Sequence, residues 1–113
     1  MTKSSWTVEF PGSITVCERD GTILEMNAVS ARIHASDGGS ALIGKNLMDC
    51  HPPQAQAKLA ELLKNQQRNV YTIEKNGKKK LIYQSPWYEN GEFRGIVELS
   101  LEIPEDIPHF VRS

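Results

Sequence analysis

The sequence predicts a single α+β domain in which helices cover one face of an antiparallel sheet. Three observations predict it: alternating apolar and polar residues near both ends of the chain, an amphipathic helix pattern between them, and Asp-Gly or Asn-Gly pairs between strands. Strands joined by hairpins run antiparallel, and helices placed between two groups of strands must cover one face of their sheet. A chain of 113 residues is long enough for one core.

The first two strands are predicted over 13–18 and 22–27, on either side of the pair Asp20–Gly21. Both segments alternate in polarity, as half-buried strands do, and glycine tolerates the positive φ of a tight turn. Asn27 is a residue type that caps helices, so a short helix is expected over 28–35.

The middle of the chain is predicted to be helical, with one interruption. We expect a loop over 36–40, one helical turn over 47–50 and an amphipathic helix over 54–67. Pro52 and Pro53 are compatible with the start of that helix, where a backbone N–H is not needed. The apolar positions that share one face of the helix are Ala55, Leu59, Leu62 and Leu63.

Three further strands are predicted over 70–75, 79–88 and 93–103. Asn76–Gly77 and the turn at 89–92 separate them, so consecutive strands form hairpins. Pro86 lies inside the second of these strands. Because proline cannot donate a backbone hydrogen bond, Pro86 predicts a bulge or an unpaired side at that point.

Alternation also assigns residues to the two faces of the sheet. The apolar residues that we predict to face the helices include Leu81, Tyr83, Trp87, Val97, Leu99, Leu101 and Ile103. Ile82 and Ile96 stand among polar neighbours. We therefore place these two residues on the outer face, where they could contact a protein partner.

Composition excludes several classes of function. The net charge of −1 gives no electrostatic reason to expect nucleic acid, and Lys78–Lys80 follow a turn as a solvated hairpin tip would. No apolar stretch approaches the ~20 residues of a membrane span, and the N-terminus lacks a signal-peptide core. A cytoplasmic location follows, in which Cys17 and Cys50 are expected to be free thiols.

Three segments carry a resemblance to a known family: ITVCERDGTILEMNAVSARI (14–33), IGKNLMDCHPP (43–53) and FRGIVELSLEI (93–103). They place a strand, an Asp-Gly turn, a strand ending in Asn, a Gly-x-Asn element and a final strand in the order that PAS domains have. The chain resembles this family over about 13–103. GKNLMDCHPP is also similar to PAS segments of bacterial proteins that carry a hemerythrin-like iron domain elsewhere.

The resemblance implies a five-stranded antiparallel sheet in the order 2-1-5-4-3, with helices that enclose a small cavity on one face. It also implies a non-catalytic sensory or signalling domain that binds a small ligand or a protein partner and forms a homodimer. The sequence contains no GxSxG, GxxxxGK[ST] or GxGxxG motif that would indicate an enzyme. We expect an N-terminal extension over 1–12, the PAS domain over 13–103, and a tail or linker over 104–113.

Apolar, aromatic and methionine side chains are the candidates for the lining of this cavity, since ligand pockets are mostly apolar with a few polar groups. The same residues could instead fill an ordinary core, and both interpretations stay open at this point. The candidates are Met26, Met48, His51, Leu59, Tyr83, Trp87, Val97 and Leu99.

His51 is the candidate metal ligand. It stands at the edge of the predicted helix, where it could hold haem iron in a redox or gas sensor, or could simply pack against the first helical turn. A closed zinc site is not expected, because the cysteines and histidines show no metal-binding spacing.

Covalent flavin photochemistry is not expected either. In the light-sensing PAS motif a cysteine directly follows the Gly-x-Asn, whereas Leu47 follows it here and Cys50 comes three residues later. Non-covalent flavin stays open.

Two aromatic residues precede the first strand. Trp6 and Phe10 could pack back on the domain, or they could form part of a dimer contact, since aromatic residues are enriched at interfaces.

Overall fold

The computed structural model describes residues 5–113, apart from the side chain of Cys50, and contains one antiparallel sheet. The strand order is β2-β1-β5-β4-β3, so the predicted fold class and topology are confirmed. Three 3₁₀ turns cover Ala35–Asp37, Gly39–Leu42 and Leu47–Cys50. The helices and strands are α1 (Ser5–Val8), β1 (Ser13–Glu18), β2 (Ile23–Met26), α2 (Ala28–Ile33), α3 (Pro53–Asn65), β3 (Asn69–Lys75), β4 (Lys78–Glu89) and β5 (Glu92–Ile103).

Two-residue turns close the hairpins of the last three strands. Asn76 and Gly77 have φ values of 54° and 76°, and Asn90 and Gly91 have values of 53° and 81°. Positive φ at both central residues defines the type I′ turn, whose twist matches that of paired strands and which favours Asn-Gly. The two predicted turns are therefore confirmed in position and in type of residue.

The predicted loop over 36–40 is wrong, because this segment forms 3₁₀ turns. Gly38 ends the first turn with a φ of 117°, and Leu42 at the end of the second turn is buried. A Cβ at Gly39 would lie 3.2 Å from the Ala31 carbonyl oxygen. The chain thus needs glycine where it passes closely over α2.

The Asp-Gly turn and the Gly-x-Asn element, which lie far apart in sequence, contact each other. Asn46 Nδ2 donates a 2.8 Å hydrogen bond to the Asp20 carbonyl oxygen, and the backbone N–H of Ile23 donates to the Lys45 carbonyl at 2.8 Å. The Thr22 backbone N–H donates to the Asp20 carboxylate, which lowers the pKa of that exposed carboxyl. This contribution to stability is present above the unfolded-state pKa and is lost as the pH falls through the folded-state pKa.

A β-bulge interrupts the pairing of β4 with β5. Tyr88 pairs with Phe93, but the preceding residue Trp87 pairs with Gly95, so Arg94 is the extra residue. One inserted residue reverses the side to which the following side chains point. Phe93 consequently packs against the same core cluster as Ile96, although two residues lie between them in the sequence.

Pro86 lies where β4 has a neighbour on one side only. It pairs with Ile96 of β5, whereas β3 begins with Asn69 opposite Gln84 and does not extend to Pro86. The missing N–H of proline therefore costs no hydrogen bond to β3, as the sequence predicted.

The core lies between α3 and the sheet. Its centre is formed by Cys17, Leu62 and Ile96, with Leu47, Leu63 and Phe93 packed around it. Burial is the largest cause of the raised pKa of the Cys17 thiol, so that this group stays protonated at neutral pH.

The faces of the sheet are exchanged relative to the sequence-based assignment. Ile82 and Ile96, predicted on the outer face, are 5% and 3% exposed and lie under the helices. Alternation shows which residues share a face, but not which face the helices cover. We call the helix-covered side the inner face, with Cys17, Ile82, Gln84, Ile96 and Glu98; the outer face carries Ile14, Val16, Leu81, Tyr83, Val97 and Leu99.

Candidate ligand-binding site

A cavity of about 310 Å³ lies between α3 and the inner face of the sheet. Its volume falls at the lower end of the range for small-molecule pockets. His51 and Leu59 are the two predicted cavity residues that line it. The complete lining is Leu47, His51, Ala55, Lys58, Leu59, Leu62, Asn69, Tyr71, Gln84 and Glu98.

The sheet wall of this cavity is polar. One residue from each of three neighbouring strands forms a cross-strand ladder: Asn69 pairs with Gln84, and Gln84 pairs with Glu98. Asn69 Nδ2 donates to Gln84 Oε1 at 2.8 Å, and Gln84 Nε2 donates to Glu98 Oε2 at 3.1 Å. We call these three residues the polar ladder.

The helix wall of the cavity is formed by Ala55, Leu59 and Leu62, with the exposed Lys58 beside them and His51 at its end. The Nδ1 atom of His51 lies 2.7 Å from the Leu47 carbonyl oxygen. A carbonyl only accepts, so Nδ1 carries the hydrogen, and Nε2 is an acceptor when the ring is neutral. Gln56 Nε2 donates to the carbonyl oxygens of Met48 and His51, which fixes the chain where α3 begins.

Tyr71 lies on the cavity wall beside the polar ladder. Tyr71 is 43% exposed, and the partial burial of its ring is the largest cause of its raised pKa; the negative charge of Glu98 is the second. Both causes disfavour the negatively charged phenolate, so the Tyr71 hydroxyl keeps its proton at neutral pH.

The two methionine candidates lie in separate places. Met26 lines a second cavity of about 230 Å³, together with Thr7, Ile14 and Val16. Met48 lines a depression beside Leu63 and Phe93, on the far side of α3. The structure therefore does not bring these two side chains to the cavity that contains His51.

The four candidates on β4 and β5 lie away from the cavity. Tyr83 and Leu99 pair on the outer face, and the Tyr83 hydroxyl accepts a 3.1 Å hydrogen bond from Arg68. Val97 also lies on that face. Trp87 Nε1 donates to the Cys17 carbonyl oxygen at 3.1 Å. Because the faces are exchanged, the lining of the cavity beside α3 includes none of the four predicted residues Tyr83, Trp87, Val97 and Leu99.

Sequence reasoning missed the polar residues of the cavity. The two-residue turn at Asn76–Gly77 places Asn69 opposite Gln84. This pair, one of the two in the polar ladder, could therefore have been predicted from the strand register. Glu98 could not, because the bulge shifts the register of β5 by one residue.

The two aromatic residues of the N-terminal segment have different environments. Phe10 packs beside Gly12, where an added Cβ would lie 2.9 Å from the Phe10 ring and 2.5 Å from Leu101. Trp6 meets the edge of Phe10 at 5.9 Å between ring centroids and is 67% exposed. Phe10 is thus packed back on the domain, while Trp6 is open to solvent; residues 1–4 of the predicted extension lie outside the described residues.

Metal-binding clusters and membrane-spanning helices are both absent from the part of the chain that the structure describes. Between residues 5 and 113, no group of three or more His, Cys, Asp or Glu side chains is arranged to hold a metal ion. No helix in that part of the chain combines the length and the apolar character that a membrane span requires.

A family model described as the PAS fold matches residues 9–106. This range includes every strand of the sheet and the whole cavity lining. No curated protein matches the sequence.

Three solved structures illustrate the similarity of fold. A C-terminal domain from Streptococcus mutans has a TM-score of 0.69 and 24% identity, covering 85% of this chain and 78% of that one. The Aer2 receptor from Vibrio cholerae, described as a dual PAS-heme oxygen sensor, has a TM-score of 0.59 and 14% identity; the match covers 82% of this chain and 95% of that one. The Vibrio cholerae VqmA dimer has a TM-score of 0.64 and 12% identity; the match covers 96% of this chain and 55% of that one.

Proposed function

Because the chain belongs to the family of PAS-fold domains, we propose that it is a non-catalytic sensory module that binds a small molecule in the cavity between α3 and the sheet. The observation that carries the proposal is the cavity itself, which combines apolar side chains of α3 with polar groups on three neighbouring strands. In pockets for small molecules, apolar side chains provide contact area and polar groups fix the orientation of the ligand.

The sheet can transmit the presence of a ligand to its other side. Gln84 and Glu98 contact the cavity, and their chain neighbours Tyr83, Val97 and Leu99 lie on the outer face. A ligand that binds one arrangement of the polar ladder better than another shifts the population of β4 and β5 conformations. The outer face then presents a different surface to whatever contacts it.

We further propose that the outer face contacts a second copy of the chain. Its apolar side chains on β1, β4 and β5 are only half-buried, and the exposed Trp6 lies on α1, whose Thr7 and Val8 border Ile14 and Val16. Contiguous exposed apolar surface and aromatic residues are typical of interfaces. The dimeric state of VqmA, which has a similar fold, supports the same proposal.

Filling the cavity should abolish ligand binding. Ala55 lines the cavity, so Ala55→Phe places a ring in the space where the ligand would bind. Native mass spectrometry of protein purified from cells should find a bound small molecule in the wild type and lose it in this variant. Ala57→Phe is the matched control, because Ala57 is exposed on the same helix. Equal occupancy in Ala55→Phe and wild type would exclude this cavity as the site.

Charge on the outer face should dissociate the dimer. Leu99 lies between Ile14 and Tyr83 on that face, so Leu99→Lys would bury an unpaired ammonium group at the interface. We expect the dimer dissociation constant to rise roughly a hundredfold, measured by sedimentation equilibrium. Ala57→Lys adds the same charge on the helix side and should leave it unchanged. A dimer unaffected by Leu99→Lys would place the interface elsewhere.

A haem sensor that uses His51 is the second candidate function. One observation favours it: Nδ1–H of His51 is held by the Leu47 carbonyl, as in many metal-ligating histidines, which leaves Nε2 for a metal. The cavity residues do not fit a porphyrin, however, because the macrocycle is larger than the cavity and the polar ladder would face its apolar surface.

An absorbance scan from the near ultraviolet to the visible, before and after incubation with haem, distinguishes these candidates. We expect a flat spectrum in both samples. A Soret band that disappears in His51→Ala would establish haem binding through His51, and flavin-shaped bands would indicate a non-covalent flavin.

A further inference from the structure

The carboxylate at the end of the polar ladder fixes the orientation of both amides. An ionised carboxylate only accepts hydrogen bonds, so Gln84 must present Nε2 to Glu98. Its Oε1 then faces Asn69, which must present Nδ2. The donors of the polar ladder are therefore directed along the sheet toward Glu98, and negative charge collects at that end.

Glu98 has an oxygen left for a ligand. Oε2 receives the hydrogen bond from Gln84, whereas Oε1 has no hydrogen-bond partner among residues 5–113. The ion pairs in this part of the chain involve Glu18, Glu89 and Glu102; no lysine or arginine there lies within 4.0 Å of Glu98. A carboxylate on a cavity wall is unfavourable to desolvate unless a donor or a cation reaches it.

Other groups of the cavity also favour a ligand that donates hydrogen bonds. His51 Nε2 is a second acceptor when the ring is neutral. Glu98 also contributes to the raised pKa of Tyr71, which places its negative field inside the cavity. Lys58 lines the same cavity from α3, but it is exposed and forms no ion pair with Glu98. The carboxylate on the sheet wall is therefore available to a positively charged ligand.

We propose that the ligand of this cavity is a small organic cation whose ammonium or amidinium N–H groups donate to Glu98, with its apolar part against Leu59 and Leu62. This rests on the proposed function, in which the same cavity is the ligand site. A charge-assisted hydrogen bond to an ionised carboxylate is roughly twice as strong as a neutral one. The preference for a cation over an uncharged molecule of equal shape is the property that the cavity should show.

Three probes of the same shape test the charge preference. 2-Phenylethylamine is a cation at neutral pH, 2-phenylethanol is neutral, and phenylacetate is an anion. Titration followed by protein NMR should show saturable shifts at Gln84 and Glu98, with the amine binding at least about tenfold more tightly than the alcohol. Phenylacetate should bind more weakly still.

Glu98→Gln provides the matching change in the protein. The Gln side chain has the same shape, and its amide oxygen can still accept the hydrogen bond from Gln84, so the polar ladder is retained. We expect the affinity for 2-phenylethylamine to fall at least about tenfold, with no change for 2-phenylethanol. Glu102→Gln removes the same charge from the same strand, outside the cavity, and should bind the amine as wild type does.

The outcomes separate the ligand class from the cavity function. If 2-phenylethanol or phenylacetate binds as tightly as the amine, and Ala55→Phe abolishes that binding, the cationic class is wrong while the cavity function stands. If none of the probes shifts cavity resonances, the cationic class is also wrong. Unchanged amine binding in Glu98→Gln would equally overturn the proposal.

Discussion

Gly95→Ala should lower the free energy of unfolding by about 4 kcal/mol, because the backbone of β1 occupies the space that a Cβ would need. The added atom would collide with the Cys17 carbonyl oxygen and lie 2.7 Å from the Glu18 carbonyl carbon. The backbone at Gly95 also has a φ of 153°, which side chains rarely adopt. Both effects act at the point where β1 pairs with β5.

The collision would reach the core and the outer face together. Cys17 pairs with Ile96, and both belong to the central cluster under α3. The Cys17 carbonyl oxygen also accepts the hydrogen bond from Trp87 Nε1. Moving β1 away from β5 would therefore open the core and break this bond, so the loss should exceed that of a strained glycine alone.

Gly91→Ala is the matched control for Gly95→Ala. Gly91 also has positive φ, at 81°, but an added Cβ would meet no atom within 4 Å. Its replacement should cost only about 1 to 2 kcal/mol of backbone strain. Urea unfolding followed by circular dichroism measures both variants. Equal losses in the two would show that backbone strain, not the close approach of β1, makes glycine necessary at position 95.

The sequence predicted the elements of this fold more completely than it predicted their faces. Apolar alternation and Asn-Gly pairs are local signals, so the strands and both type I′ turns were placed within one or two residues of their observed bounds. The choice of buried face depends on where α3 packs, which is a long-range property. The outer face is as apolar as an ordinary core, and for this reason Ile82 and Ile96 were assigned to the wrong side.

The candidate site depends on two long-range features that have no local signal. The bulge at Arg94 shifts the register by one residue and thereby brings Glu98 opposite Gln84. The start of α3 brings His51 to the end of the same cavity. His51 and Leu59 could be chosen from the helix pattern, whereas the polar ladder required the pairing of three strands.

Asn27→Ala should lower the free energy of unfolding by about 3 to 5 kcal/mol, because one side chain connects four segments of the chain. Asn27 is 7% exposed. Its Oδ1 accepts from the backbone N–H groups of Ile14 and Ser30, each at 3.0 Å, as a strand partner and as the N-cap of α2. Its Nδ2 donates to the carbonyl oxygens of Gly12 at 2.8 Å and Thr7 at 3.0 Å.

Removing the amide leaves polar backbone groups without partners on both sides. Asn27→Ser separates the two halves, because a serine hydroxyl can still cap α2 through Ser30 but cannot also reach the carbonyls of Thr7 and Gly12. We expect Asn27→Ser to lower the free energy of unfolding by less than Asn27→Ala does. Asn65→Ala, at the exposed end of α3, should change stability by no more than about 0.5 kcal/mol.

The same variants test whether α1 depends on Asn27 for its position. Thr7 belongs to α1, so loss of the Nδ2 hydrogen bonds should release this helix from its position beside the sheet in both Asn27 variants. Amide hydrogen exchange should then become faster over 5–12 in Asn27→Ser, even under conditions where the sheet remains folded. If 5–12 stayed protected while the whole domain lost stability, Asn27 would act through α2 and β1 alone, and the position of α1 would depend on the packing of Phe10 against Gly12 and Leu101.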